Sequence, residues 1–174
     1  MNYAVIYDCD IANGIGTRVS LFVSGCTHHC KECFNSQTWD FNYGKPYTKE
    51  IEDSIIEKIE KSYILGLTIL GGEPMELCNQ VAILPLIKRV KESGKTVWIY
   101  SGYTWEELTN IDNKRCHGEY TEEILRNIDI LVDGEFHIEE KDITLKFRGS
   151  KNQRIIDVSE TLKQGQVILS KYMY

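Results

Sequence analysis

"RVSLFVSGCTHHCKECFN", residues 18–35, decides how this chain is read. Its opening, 18–24, alternates and is rich in β-branched and aromatic residues, which predicts a strand. A loop with three cysteines follows at once. Cys26, Cys30 and Cys33 are spaced C-x3-C-x2-C, and Gly25 permits a tight turn into them. Thiolates so close in one loop can converge on a single compact centre. An iron–sulfur cluster is normally held by four protein thiolates. Three would leave one iron of a four-iron cluster without a protein ligand. An open metal position means chemistry or substrate binding, by the logic that separates catalytic from structural zinc. The spacing also leaves open a zinc site, or no metal. His28 and His29 lie between the cysteines, and Cys–His mixtures suit structural zinc. However, no second ligand pair follows: Cys78 is alone and Cys116–His117 is a distant doublet. By default the two histidines read as solvated loop residues.

Outward from this loop the chain has globular character. Its 174 residues suit a single domain spanning 1–174, with 42% apolar and 26% charged residues. A net charge of −6 argues against nucleic acid, which is bound by neutralising phosphates. No run of about 20 apolar residues predicts a membrane span. The start, "MNYAVIYDCDIANG", lacks the pattern of a secretion signal. The expected compartment is the cytosol, where thiols stay reduced and six cysteines suggest a metal or redox centre.

Strands and helices alternate downstream. Helices are predicted over 47–63, with Thr48 as cap, over 80–94 despite Pro85, over 104–110 with a Thr104–Glu107 capping box, and over 121–128. Strands are predicted over 66–72, 95–102 and 129–134, then over 143–148, 154–158 and 166–170. The stretch 111–120 is loop-like. Alternation of this kind implies an α/β fold with a mainly parallel sheet. A full eight-unit barrel takes about 250 residues, so the expectation is an incomplete (β/α) barrel or an open twisted sheet. In either, sites gather at the carboxyl ends of strands. The cysteine loop, "GGEP" (71–74) and "SGYT" (101–104) begin at such ends and are expected to share one rim.

"CTHHCKEC" resembles the signature of radical S-adenosylmethionine enzymes, and "LGGEP" (70–74) resembles their second motif. More specifically, "RVSLFVSGCTHHCKECFNSQTWDF", "SGYTWEEL", "DILVDGEF" and "FRGSKNQRIIDV" are similar to the anaerobic ribonucleoside-triphosphate reductase activating proteins. The similarity runs from about Arg18 to Val158.

The resemblance implies an incomplete barrel of the radical S-adenosylmethionine type. It implies that Cys26, Cys30 and Cys33 bind three irons of a [4Fe-4S] cluster, and that S-adenosyl-L-methionine chelates the fourth. Reductive cleavage would give a 5′-deoxyadenosyl radical, which takes hydrogen from a glycine of the reductase. Flavodoxin or a similar low-potential donor would supply the electron. The turn Glu32-Cys33-Phe34 would lie near the adenine, with Gly71, Gly72 and Glu73 around the ligand and Glu73 facing its ammonium group. Ser101 and Tyr103 are placed on the ribose or carboxylate or in a structural turn, with Asp133 a further candidate. Arg148, Asn152, Gln153 and Arg154 bind the ligand or shape the docking face. Trp39 and Trp105 read as core, and Cys9, Cys78 and Cys116 as free thiols.

The chain departs from the pattern at Glu32, at Phe34, which replaces a commonly polar residue, and at Asn13, where an acidic residue is frequent. The alternatives are activation of another glycyl-radical enzyme, a small-molecule rearrangement of the same superfamily, or a zinc-stabilised binding module without catalysis.

Overall fold

The structure is a computed structural model describing residues 1–174. Strands β1 (Asn2–Asp10) and β2 (Arg18–Val23) pair antiparallel, and a two-residue strand, β3 (Lys45–Pro46), pairs with β1 at the edge. Beyond β2, strands β4 (Gly66–Gly71), β5 (Thr96–Tyr100) and β6 (Ile130–Asp133) add in parallel. Strand β7 (Arg154–Asp157) closes the far edge antiparallel to β6. The result is one 7-stranded sheet in the order β3-β1-β2-β4-β5-β6-β7. Each parallel step needs a crossover. Helix α1 (Lys49–Ile59) makes the first, α2 (Leu77–Glu92) the second, and the short α3 (Trp105–Thr109) and α4 (Thr121–Arg126) share the third. A last helix, α5 (Val158–Gln164), follows β7.

Period-two alternation along the strands separates the two faces of the sheet. Val19, Leu21, Leu67, Ile69, Val97 and Ile99 are fully buried in the larger core, to which all five helices contribute apolar side chains. Ile55, Ile56 and Ile59 supply the face of α1, as their spacing predicts. The opposite face is covered differently. There Trp98, Ile130, Val132 and Ile155 pack against Phe147, Tyr172 and Met173, which lie outside strands and the longer helices. Arg18 is buried on this face. Its guanidinium donates to Thr68 Oγ1 and to the Leu67 carbonyl, both at 2.7 Å, and lies 5.4 Å from the Trp98 ring. Burial pulls its pKa down to about 10, so it stays charged at neutral pH.

The capping box of α3 forms as predicted. Pro85 sits inside α2 without ending it, because it is exposed and solvent can satisfy the carbonyl it leaves free. Three expectations differ. The first strand, Asn2–Asp10, went unread. Residues 143–148 turn instead of extending, with Phe147 at φ 57. Of 166–170, only Leu169 pairs, in an isolated bridge to Ile156.

Candidate functional site

The carboxyl ends of β2 and β4 stand level, because the register places Val23 beside Gly71. The cysteine loop and the GGEP turn therefore leave the sheet side by side. Backbone hydrogen bonds join them: Gly72 N–H donates to the Val23 carbonyl and Glu73 N–H to the Gly25 carbonyl, both at 2.8 Å. The approach is so close that a Cβ on Gly72 would lie 2.7 Å from the Gly25 carbonyl oxygen. Only glycine fits there. Gly25 itself sits at φ 95, a conformation that favours glycine.

Asn79 on α2 and Glu76, the residue that caps it, support both loops. Asn79 Nδ2 donates to the Ser24 and Glu73 carbonyls at 3.0 and 2.9 Å. Glu76 accepts from Thr27 N–H at 2.8 Å and from its hydroxyl at 2.6 Å.

A cavity of about 430 Å³ opens at this end of the sheet. Cys26, Cys30, Cys33, Phe34, Gly71, Gly72, Glu73 and Ser101 all line it. Of the turn Glu32-Cys33-Phe34, Glu32 alone is left out. It adopts φ 55 and is exposed, so the turn carries its side chain to solvent. The three thiols are free. Burial pushes the Cys26 thiol up to about 12 and raises that of Cys30. Both are protonated at neutral pH, and iron would have to displace those protons. No group of three or more His, Cys, Asp or Glu side chains is gathered in a way that could hold a single metal ion. The thiols instead share the wall of a cavity with room for a larger group.

Glu73 is buried at 1% exposure. Its Oε1 accepts from Met75 N–H and the Ser101 hydroxyl, both at 2.8 Å, and its Oε2 accepts from Gly102 N–H at 2.7 Å. This carboxylate ties its own turn to the loop after β5. His28 departs from its reading as a solvated residue: its side chain is 3% exposed. Its Nδ1 lies 2.6 Å from Glu135 Oε1, and its Nε2 lies 3.2 Å from Glu73 Oε2, without hydrogen-bond alignment. Burial acts to lower the His28 pKa, but the two carboxylates outweigh it and the net shift is upward. His29 is exposed, with its ring 4.7 Å from that of Trp39.

The remaining candidates divide. Arg148 and Gln153 line the cavity. Arg154 does not: it bonds Asp133 Oδ2 at 2.5 Å and Glu106 Oε2 at 2.7 Å. Asp133 is 1% exposed and also accepts from Trp105 N–H, so both hold the frame. Asn152 donates to the Glu135 carbonyl. Tyr103 is fully buried behind His28. Trp39 lines the cavity, whereas Trp105 packs on the core. Cys9 and Cys78 are exposed thiols and Cys116 a buried one.

Sequence reasoning passed over Tyr100, Glu135 and Phe136. Tyr100 and Phe136 line the cavity, and Glu135 and Phe136 directly follow the strand end at "DILVDG", which was the available signal. Trp39 Nε1, Tyr100 Oη and Arg148 Nε are buried without hydrogen-bond partners. Buried polar atoms are ordinarily satisfied. Their three residues all line this one cavity, which suits a polar ligand.

The arrangement defines a class: an α/β protein with three thiols in one loop at the carboxyl edge of a parallel sheet. Residues 12–156 match the family model described as a 4Fe-4S single cluster domain, and the match supports an iron–sulfur cluster. The chain is 44% identical over 159 residues to the anaerobic ribonucleoside-triphosphate reductase-activating protein of Vibrio cholerae, covering 89% of this chain and 97% of the relative. It is 42% identical to the protein of that name from Pasteurella multocida over 159 residues, covering 89% and 96%. To that of Escherichia coli it is 40% identical over 157 residues, covering 88% and 96%. The chain belongs to the family of anaerobic ribonucleoside-triphosphate reductase-activating proteins. No helix is long and apolar enough to cross a membrane.

Proposed function

We propose that this chain activates an anaerobic ribonucleoside-triphosphate reductase by generating that enzyme's glycyl radical. It is read as a radical S-adenosylmethionine oxidoreductase acting in the cytosol, with flavodoxin or a similar reductant as electron donor. Cys26, Cys30 and Cys33 would hold a [4Fe-4S] cluster. The chemistry supplied there would be one-electron reductive cleavage of the sulfonium of S-adenosylmethionine to methionine and a 5′-deoxyadenosyl radical. The observation that carries the reading is the shared cavity: three free thiols, the Gly71–Gly72–Glu73 turn and Ser101 face one space of about 430 Å³.

The chain's own residues have separable roles. Gly71 and Gly72 allow a ligand to approach the backbone. Phe34 and Phe136, 5.4 Å apart, offer aromatic faces to a base. Trp39, Tyr100 and Arg148 carry buried polar atoms without partners, which a nucleoside or carboxylate would satisfy once these side chains turn toward the cavity. Glu73 keeps Ser101 and Gly102 in place. The parallel strands with helices on one face are read as an incomplete barrel of the radical S-adenosylmethionine type, in a single domain over 1–174. The open mouth of the cavity would admit a glycine-bearing loop of the reductase, which would then exclude water from the site.

The experiment is anaerobic. Protein reconstituted with iron and sulfide is reduced with S-adenosylmethionine and the reductase, then examined by electron paramagnetic resonance. A glycyl doublet on the reductase, with 5′-deoxyadenosine released, is the expected result. A colourless protein retaining one zinc, or iron-loaded protein that yields no doublet, would overturn the reading.

A further inference from the structure

We propose that His28 is a positioning residue that keys the cysteine loop to the three other loops of the rim. The proposal rests on the reading of Cys26, Cys30 and Cys33 as cluster ligands. His28 comes from a short polar loop, yet its side chain is 3% exposed. Its Nδ1 meets Glu135 Oε1 at 2.6 Å, and its Nε2 lies 3.2 Å from Glu73 Oε2. Its ring lies 4.3 Å from that of Tyr103. Beside it Gly102 leaves the space the ring occupies: a Cβ there would lie 2.7 Å from Nε2 and 2.8 Å from Cδ2.

These partners come from three different loops. Glu73 follows β4, Gly102 and Tyr103 follow β5, and Glu135 follows β6. A single imidazole from the loop after β2 thus touches the loops after every other parallel strand. His28 also stands midway between Cys26 and Cys30, so the ring fixes the backbone that carries both thiols. Burying and immobilising an imidazole costs desolvation and rotamer freedom. The fold offsets part of this through the Nδ1 contact with Glu135, and the ring's packing on Tyr103 and against Gly102 holds it in place. Groups that orient metal ligands from behind typically change metal affinity about 10–100-fold when removed.

The test compares wild type with H28A, H28Q, G102A, H28A/G102A and C30A, all reconstituted anaerobically. The measurements are iron and sulfide retained against a chelator, and the electron paramagnetic resonance spectrum of the reduced cluster. H28A and G102A are each expected to lose iron about 10-fold faster than wild type, with a shifted or broadened spectrum. H28Q, which keeps a donor toward Glu135, is expected to fall between. The double variant should lose no more than H28A, because the added methyl has no ring to strike. Circular dichroism of the apoproteins identifies any variant that fails to fold, and G102A and H28Q then carry the comparison. Wild-type retention with an unchanged spectrum in H28A or, should it not fold, in G102A would overturn the proposal. So would additive losses in the double variant. Wild type that takes up no iron, or C30A that keeps all of it, would instead overturn the cluster reading.

Discussion

The amide of Glu73 donates to the carbonyl of Gly25 at 2.8 Å, across two loops 48 positions apart in sequence. The contact exists because β2 and β4 run parallel and in register, and because Gly72 has no side chain to hold the loops apart. It makes the cysteine loop and the GGEP turn one structural unit.

Gly72→Ala is therefore expected to separate the two loops. Its Cβ would meet backbone, which cannot swing aside, and overpacking of this kind costs about 1–3 kcal/mol. Thermal unfolding should show the loss, and anaerobic reconstitution should show lower iron content than wild type. Unchanged values in both would contradict the close approach.

Tyr100→Phe should act in opposite directions on the free and the loaded protein. The Tyr100 hydroxyl is buried without a partner, and such a group costs about 1–3 kcal/mol. Removing it should raise the melting temperature of the apoprotein. If the hydroxyl meets a ligand, affinity for S-adenosylmethionine, measured by equilibrium dialysis on reconstituted protein, should fall. A lower melting temperature with unchanged affinity would show that the hydroxyl is satisfied otherwise.

Arg154→Ala tests the frame beneath the site. Asp133 is almost fully buried, and Arg154 is its only charged partner, itself 29% exposed. Leaving a buried carboxylate uncompensated costs about 3–5 kcal/mol, here toward the lower end because solvent reaches the guanidinium. The melting temperature should drop, and Asp133→Asn in the same background should recover part of it. An Arg154→Ala protein as stable as wild type would refute the assignment.

Asp10 sets a dependence on acid. Burial acts to raise its pKa, but donors from Ser20, Asn13 and Ala12, at 2.5 to 2.7 Å, outweigh it and hold the carboxyl below its usual value. A lowered native pKa contributes stability above the unfolded value, about 3.9, and loses it as pH falls through the native one. Denaturant titrations should show stability falling below about pH 4. Asp10→Asn should flatten that fall and be less stable at pH 7 by about 1–3 kcal/mol. Parallel pH profiles for the two proteins would rule Asp10 out.

Much of the parallel centre was legible in the sequence, because periodicity and caps are local. Ile55, Ile56 and Ile59 mark α1, and Thr104 with Glu107 marks the start of α3. The gathering of the cysteine loop, GGEP and SGYT on one rim followed from topology. What stayed hidden was long-range. The burial of His28 depends on Glu135, 107 positions away, and no local pattern announces that pairing. The role of Arg154 changed for the same reason: its carboxylate partners lie on β6 and α3. At 143–148 an apolar alternation suggested a strand, but Phe147 turns in to cover Trp98.

The pairing of Val23 with Gly71 works as a ruler. Adding or deleting one residue within either strand would shift its loop by about 3.3 Å and invert every side chain beyond that point. The distance in sequence from Arg18 to Cys26 is thus as intolerant of insertion as the spacing among the cysteines themselves. Length variation in engineered or natural versions of this chain should fall instead in the exposed parts of the crossovers, such as 111–115, where no strand has to keep count.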